Sequence, residues 1–506
     1  VTGIREALGL LWSASDDAKL VQQDAAWHTW SGVRALVEKV DIELGRVGCG
    51  EGSRVGVVLG NRMESVAALI AVLGKGRTII TLNPMQPLPR VTADAVAALP
   101  QVVLAPQSLW DEEEFASALA SAGVLGFAVD GVEVVQRTGG PEVELGAAEH
   151  DREPVAVEMF TSGTTGPPKR IKLTWRQLEA ALAAVHGHTG KGLERREPLT
   201  GRVALVSLPI VHIGGLWGVI QALAEARPIV MLPRFTVEGW VTAVSEHRLG
   251  LAGLPPAAMR SVLDAGVPAE KLASLRAITT GTTFVSPDLA DEFSSRYDVP
   301  VLIMYGATEF GGAIAGWTKP LHREWWKRKR GSVGRPFPGV RMRTVDEHGT
   351  VLPVGTTGRL EVCSSQTGTG TDQWVRTSDL AHLDDDGFLY IDGRADDAIV
   401  RGGFKVQPET VCDALRAHDS VLDASVFGRA DERLGQVPIA VIELVEGAAP
   451  VDEAELKEFV RKQLTAYEVP VAVYVVDELP RSVSLKVDRR RLLELVAEVE
   501  AEAESA

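Results

Sequence analysis

Along the first third of the chain, apolar residues gather alternately into short continuous runs and into stretches with helical spacing. A helical pattern near Val33 to Leu44 leads into a strand-like run from Arg54 to Leu59. A second helix over Ser65 to Leu73 then precedes a run from Thr78 to Leu82. Apolar strands separated by amphipathic helices imply a parallel sheet. The pattern continues with strands at Val102 to Leu104 and Val124 to Val129 around a helix over Leu109 to Leu119. Val155 to Phe160, VAVEMF, reads as another buried strand, and Gln177 to Val185 as a helix. Val301 to Gly312 is a buried strand ending in a turn. Near the C-terminus, strands at Ala424 to Phe427, Ile439 to Leu444 and Val471 to Val476 surround a helix over Glu453 to Leu464. The fold class is α/β.

Length adds a constraint. A chain of 506 residues holds more than one domain, since single cores seldom exceed roughly 250 to 300 residues. A formal net charge of -16 disfavours nucleic acid or an anionic membrane as a general partner. No apolar run reaches the length of a membrane span, and the segment Leu8 to Leu11 is too short for a secretion signal. Cys49, Cys363 and Cys412 are widely spaced, which predicts buried thiols in a reducing, cytoplasmic setting and no metal site among them.

Candidate chemistry centres on Thr161 to Lys169, TSGTTGPPK, expected as a loop between strand and helix. Gly163 and Gly166 let backbone approach an anion, Thr161, Ser162, Thr164 and Thr165 offer hydroxyl donors, and Lys169 adds a positive charge. The spacing excludes a Walker loop, because Pro167 and Pro168 follow Gly166 where Lys-Ser/Thr is required.

This stretch resembles the phosphate loop of the adenylate-forming superfamily, which includes acyl-CoA ligases, peptide-synthetase adenylation domains and firefly luciferase. Further segments agree in family order across nearly the whole chain: SLPIVHIGGLWG at 207–218, RAITTGTTF at 276–284, YGATE at 305–309, WVRTSDL at 374–380, FLYIDGRADDAIVRGGFKV at 388–406 and LPRSVSLK at 479–486. The overall likeness is greatest to an acyl-CoA ligase.

The resemblance implies a large N-terminal domain of parallel-sheet α/β subdomains over residues 1–394 and a small mobile α+β domain over 395–506, hinged near Asp396. It implies ATP, Mg2+ and CoA as cofactors or co-substrates. Lys486, Glu309 and Thr161 would act in catalysis, with Glu309 also the metal ligand. The phosphate-loop residues, Gly281, Thr282, Thr283, Tyr305, Gly306, Thr308, Asp379 and Arg394 would hold the nucleotide. His212, Gly214, Gly215, Gly306, Phe310, Gly311 and Gly312 would line the acyl pocket, and the small size of the glycines suggests a bulky or long acid. His212, Gly402 and Gly403 would line the CoA tunnel.

The expected activity is conversion of a carboxylic acid to acyl-AMP with release of pyrophosphate, then thioester formation with CoA. The chain departs from family pattern at Thr282 to Phe284, at Thr410 and Cys412 where two glutamates are usual, and at Leu485 in place of glycine. Those departures leave open transfer of the acyl group to a separate protein, or nucleotide binding without catalysis. The resemblance also leaves open a downstream acyl-transfer protein and a homodimer as partners.

Overall fold

The computed structural model describes residues 3–139, 153–161, 169–189, 197–368, 372–395, 397–401, 404–431, 433–448, 451–482 and 485–505. By packing, the chain divides into two compact units. The first comprises residues 1–331, 337–340 and 364–372, and the second residues 332–336, 341–363 and 373–506. The boundary expected at 394/395 concerns where the chain turns between half-reactions, a different property from this division by packing.

The main sheet of the first unit has seven strands: β1 (Arg54–Val58), β2 (Thr78–Leu82), β3 (Val102–Ala105), β4 (Leu125–Asp130), β5 (Glu133–Thr138), β6 (Val155–Thr161) and β7 (Lys169–Thr174). Their order is β5-β4-β3-β1-β2-β6-β7, parallel except for the pairs β4–β5 and β6–β7 at the two edges. The central strands are buried throughout, as expected for a parallel sheet covered on both faces. Helix Met63–Leu73 packs against it and is itself almost wholly buried.

The helix expected over Leu109 to Leu119 is two helices, Gln107–Trp110 and Glu113–Ser121. Trp110 turns inward, donating Nε1–H to the Phe127 carbonyl at 3.0 Å and meeting Phe115 edge-on. Glu113 and Glu114 then occupy the first turn of the next helix, where carboxylates favour the dipole.

A second sheet of this unit runs β8 (Leu251–Gly253), β9 (Ala277–Thr280) and β10 (Val301–Ala307) in parallel, with β11 (Gly312–Gly316) antiparallel to β10. Helices α1 (Trp175–Thr189) and α2 (Ile213–Ala224) belong to the same unit.

The second unit contains two sheets. One is an antiparallel meander of β12 (Arg341–Val345), β13 (Gly358–Cys363), β14 (Val375–Leu383) and β15 (Leu389–Arg394). The other joins β16 (Ile399–Arg401), β17 (Phe404–Val406), β18 (Val421–Asp431), β19 (Gly435–Leu444) and β20 (Ala472–Val476). Helix α3 (Pro408–Arg416) packs on β18. Among the described residues, no helix is long and apolar enough to cross a membrane.

Candidate active site

The phosphate-loop sequence joins two antiparallel strands rather than a strand and a helix. KRIKLT at 169–174 alternates polar and apolar residues, the period of a half-buried strand, and the helix begins only at Trp175. Phe160 pairs with Arg170 and Thr161 with Lys169, so the loop's two ends face one another. Ser162, Gly163, Thr164, Thr165 and Gly166 lie outside the described residues.

The base of this hairpin is tied to the sheet by a buried charge. Glu158 on β6 has no exposed surface and receives Arg54 at both oxygens, 2.8 Å from Nε and 3.0 Å from Nη2. Arg170 approaches the same carboxylate at 3.5 Å. Arg54 also donates to the carbonyls of Ala98 and Leu99, so its guanidinium binds three chain segments together. A buried carboxylate requires such a set of donors to offset its desolvation.

YGATE lies at the end of β10, where Thr308–Phe310 forms a single 3-10 turn before β11. Two buried amides that the sequence did not signal hold this turn. Gln177 Nε2, on the first turn of α1, donates to the Glu309 carbonyl at 3.2 Å and to the Gln366 carbonyl at 3.1 Å. Gln366 Nε2 in turn donates to the carbonyls of Phe310 and Ala313 at 3.3 and 3.2 Å. The backbone of the turn is thereby fixed while the Glu309 side chain is exposed.

Three loops meet near this turn. A Cβ at Gly281 would lie 2.6 Å from the Met304 carbonyl oxygen, so only glycine lets the loop after β9 approach β10 this closely. Thr282 follows at φ +73, and its methyl would be 3.7 Å from a Cβ at Gly214. Trp217 lies over Gly312, with ring atoms 3.7–3.9 Å from where its Cβ would be. Sites in open α/β sheets lie beyond the carboxyl ends of parallel strands, where these loops stand.

His212 is the N-cap of helix α2, and its carbonyl accepts from Leu216 N–H at 2.9 Å. The segment before it is held by Asn61, which the sequence also did not signal. Asn61 donates to the carbonyls of Leu208 and Leu232 and accepts from Ile210 N–H at 2.8 Å.

The expected pocket glycines divide into two groups. A Cβ at Gly215 would stand 2.3 Å from the Pro209 carbonyl oxygen, and one at Gly306 2.2 Å from that of Gly312. Their smallness therefore admits neighbouring backbone rather than leaving pocket volume. Phe310 is buried at 2% exposure. Gly214 and Gly312 face side chains instead, and Gly311 sits near Leu178 at φ +66.

Asp379, Arg394 and Lys486 belong to the second unit. Asp379 on β14 pairs with Arg394 on β15, and Arg394 Nη2 donates to Ser378 Oγ at 2.6 Å. Lys486 has exposed surface, yet nearby protein desolvates its ammonium, and with the Arg394 charge this holds its pKa below the ordinary lysine range. Asp396, Gly402 and Gly403 lie outside the described residues.

The chemistry of these groups suits a nucleotide. At Gly281 the loop backbone lies against β10 too closely to admit a side chain. Among the described residues, no cluster of three or more metal-binding side chains occurs. A single carboxylate such as Glu309 suits Mg2+, whose remaining ligands are commonly phosphate oxygens and waters.

Residues 13–370 match the family model described as AMP-binding enzyme, and residues 412–486 match its C-terminal domain. The chain belongs to the AMP-binding enzyme family. It is 28% identical over 489 residues to the indoleacetate–CoA ligase of Aromatoleum aromaticum, covering 93% of each chain. It is 30% identical to the 2-succinylbenzoate–CoA ligase of Bacillus licheniformis, over 88% of this chain and 90% of that one. The fold is that of ATP-bound MatB from Rhodopseudomonas palustris, with a TM-score of 0.81, 24% identity and coverage of 98% and 99% of the two chains. This AMP-binding enzyme is therefore an adenylate-forming ligase.

Proposed function

We propose that this ligase activates a carboxylic acid bearing an aromatic or similarly bulky group and passes it to CoA. In the first step a carboxylate oxygen attacks the α-phosphorus of ATP, pyrophosphate leaves, and acyl-AMP forms. In the second, the CoA sulfur attacks the acyl carbon, AMP leaves, and a thioester remains.

The observation that carries this reading is the turn Gly281–Thr282, where Gly281 lies against the Met304 carbonyl and the Thr282 methyl faces Gly214 at the start of α2. One turn thus borders both the proposed adenine side and the proposed acyl side. The acids named for both relatives above are aromatic, and the Trp217 ring over Gly312 offers such a group a flat apolar wall.

Each residue then has a role in phosphoryl transfer, which needs alignment and charge stabilisation more than proton transfer. Thr161, the residues 162–166, Lys169 and Thr308 hold the phosphates, while Gly281, Thr282, Thr283, Tyr305 and Gly306 border adenine. Asp379 accepts from the ribose hydroxyls, and Arg394 stands beside it. Lys486 stabilises charge developing on the α-phosphate. Glu309 would hold Mg2+, which neutralises phosphate charge when bound. His212, Gly402 and Gly403 guide the thiol, and residues 395–506 turn against 1–394 at Asp396 between the two steps.

The buried thiols of Cys49, Cys363 and Cys412 support the cytoplasmic setting we propose. Mass photometry tests the proposed homodimer separately.

Mass spectrometry of products from ATP, Mg2+ and a panel of short, long, aromatic and polycyclic acids, with and without CoA, tests the reading. Aromatic acyl-CoA with AMP and pyrophosphate is the expected result. Acyl-AMP that persists with CoA present would move the acceptor to another protein, and absence of adenylate from every acid would overturn the activity itself.

A further inference from the structure

The described residues on either side of Lys486 pair as a small hairpin. Arg481 bridges Val487, Ser482 N–H donates to the Lys486 carbonyl at 2.7 Å, Leu485 N–H to the Ser482 carbonyl at 2.8 Å, and Asp488 N–H to the Pro480 carbonyl at 2.7 Å. Leu485 sits at φ +62, in the left-handed region that disfavours a branched side chain. An isolated hairpin of this size is marginal in water. Something outside it must fix its position.

The neighbouring strands supply two carboxylates. Asp423 on β18 and Glu443 on β19 are directly opposite one another in the strand register. Glu443 accepts from Leu479 N–H at 3.1 Å, and Asp423 receives Arg481 Nη2 at 2.6 Å. The strand pair thus grips the entry to the hairpin at two points.

Asp423 is also held from behind. Arg416, on α3, donates Nε to Asp423 at 3.0 Å, Nη1 to Glu409 at 2.7 Å and to Asp413 at 3.0 Å, and Nη2 to the Ala424 carbonyl at 3.2 Å. Burial alone would push the Asp423 carboxyl up, but Arg416 and Arg481 outweigh it and hold it below the usual carboxylate range. A continuous chain of charge therefore runs from Glu409 through Arg416 and Asp423 to Arg481. Glu409 and Arg416 flank Thr410 and Cys412, the positions where the family's usual glutamates are missing.

We propose that Arg416, Asp423, Glu443 and Arg481 form a clamp that sets the Lys486 hairpin in the position adenylation requires. They are positioning residues for the first half-reaction. The inference rests on the role given to Lys486 above.

The test uses the full chain carrying Asp423→Asn, Arg481→Met or the conservative Arg481→Lys. Hydrogen exchange needs no substrate and reads the clamp directly. The amides of Ser482, Leu485 and Asp488 are expected to exchange at least about 10-fold faster in Asp423→Asn and Arg481→Met while those of β19 hold steady, with Arg481→Lys partly restoring protection. With the acid that the panel selects, adenylation is expected to fall about 10- to 100-fold. Thioester formation from supplied acyl-AMP is expected to stay within about twofold, since that step does not use the clamped lysine.

Unchanged hairpin exchange, or loosening of β19 along with it, would overturn the clamp. Local loosening with both half-reactions reduced equally, or neither reduced, would overturn the positioning role. Lys486→Ala with undiminished adenylation would instead overturn the lysine assignment on which the clamp depends, whatever the exchange result.

Discussion

Gln177 donates through Nε2 to the backbone carbonyl of Gln366 at 3.1 Å, and between them the two amides hold the turn that presents Glu309. Gln177 follows the phosphate-loop hairpin directly through α1, so the proposed phosphate side and the proposed metal side share one support. Both side chains are buried, at 4% and 1% exposure. Removing either amide strands carbonyl oxygens in the interior.

Gln177→Leu is therefore expected to destabilise the first unit by about 1–3 kcal/mol, the cost of leaving buried acceptors unpaired. It is also expected to raise the Mg2+ concentration needed for half-maximal pyrophosphate release. Thermal unfolding and a Mg2+ titration check the two effects; unchanged Mg2+ dependence would separate the turn from the metal.

Glu158→Gln keeps the shape of the side chain but leaves Arg54 without its buried counter-charge. Breaking a buried pair in this way costs about 3–5 kcal/mol. Denaturant unfolding should show that loss. A change below about 1 kcal/mol would mean the pair behaves as an exposed one.

Leu485 occupies φ +62, a conformation that costs a non-glycine residue roughly 1–2 kcal/mol. Leu485→Gly relieves that strain but adds roughly 0.5–1 kcal/mol of unfolded-chain entropy. The expected net change is from none to about 1.5 kcal/mol of stabilisation. Leu485→Val should lose about 1–3 kcal/mol, because β-branching worsens the strain. Chemical denaturation of the two variants compares them.

Adenylation that needs a charged Lys486 should lose rate on the alkaline side before an ordinary lysine, near about 10.4, would deprotonate. Desolvation is the first cause of this depression and the Arg394 charge the second. Arg394→Gln should accordingly move the alkaline limb upward without restoring it fully. The stability consequence has the opposite sign: between the folded and unfolded pKa values the unfolded chain binds the extra proton, so this group's contribution to stability rises with pH across that window. A pH profile of pyrophosphate release, with an unfolding series over the same range, reads both.

The sheet was legible because its strands are continuous apolar runs, and the strand at Thr78–Leu82 begins and ends where the pattern does. The strand Lys169–Thr174 was concealed by its charge, since lysine and arginine at alternate positions look like loop until Ile171 and Leu173 are read as one face. Gly214 and Gly215 obscure the helix Ile213–Ala224, although Ile213, Leu216, Trp217 and Ile220 repeat with helical spacing. Motif residues such as Glu309 and Lys486 could be named because their neighbours carry the resemblance. Gln177 and Gln366 could not, because the bond between them spans 189 residues and joins side chain to backbone, which imposes no motif on either segment.

The central claim is that the substrate carboxylate attacks the α-phosphorus of ATP. The most direct measurement is a single turnover with an acid labelled with 18O in both carboxylate oxygens, followed by mass analysis of the nucleotide. Oxygen transfer requires one labelled oxygen in AMP and none in pyrophosphate. Label retained wholly in the acid, or found in inorganic phosphate beside ADP, would contradict the account.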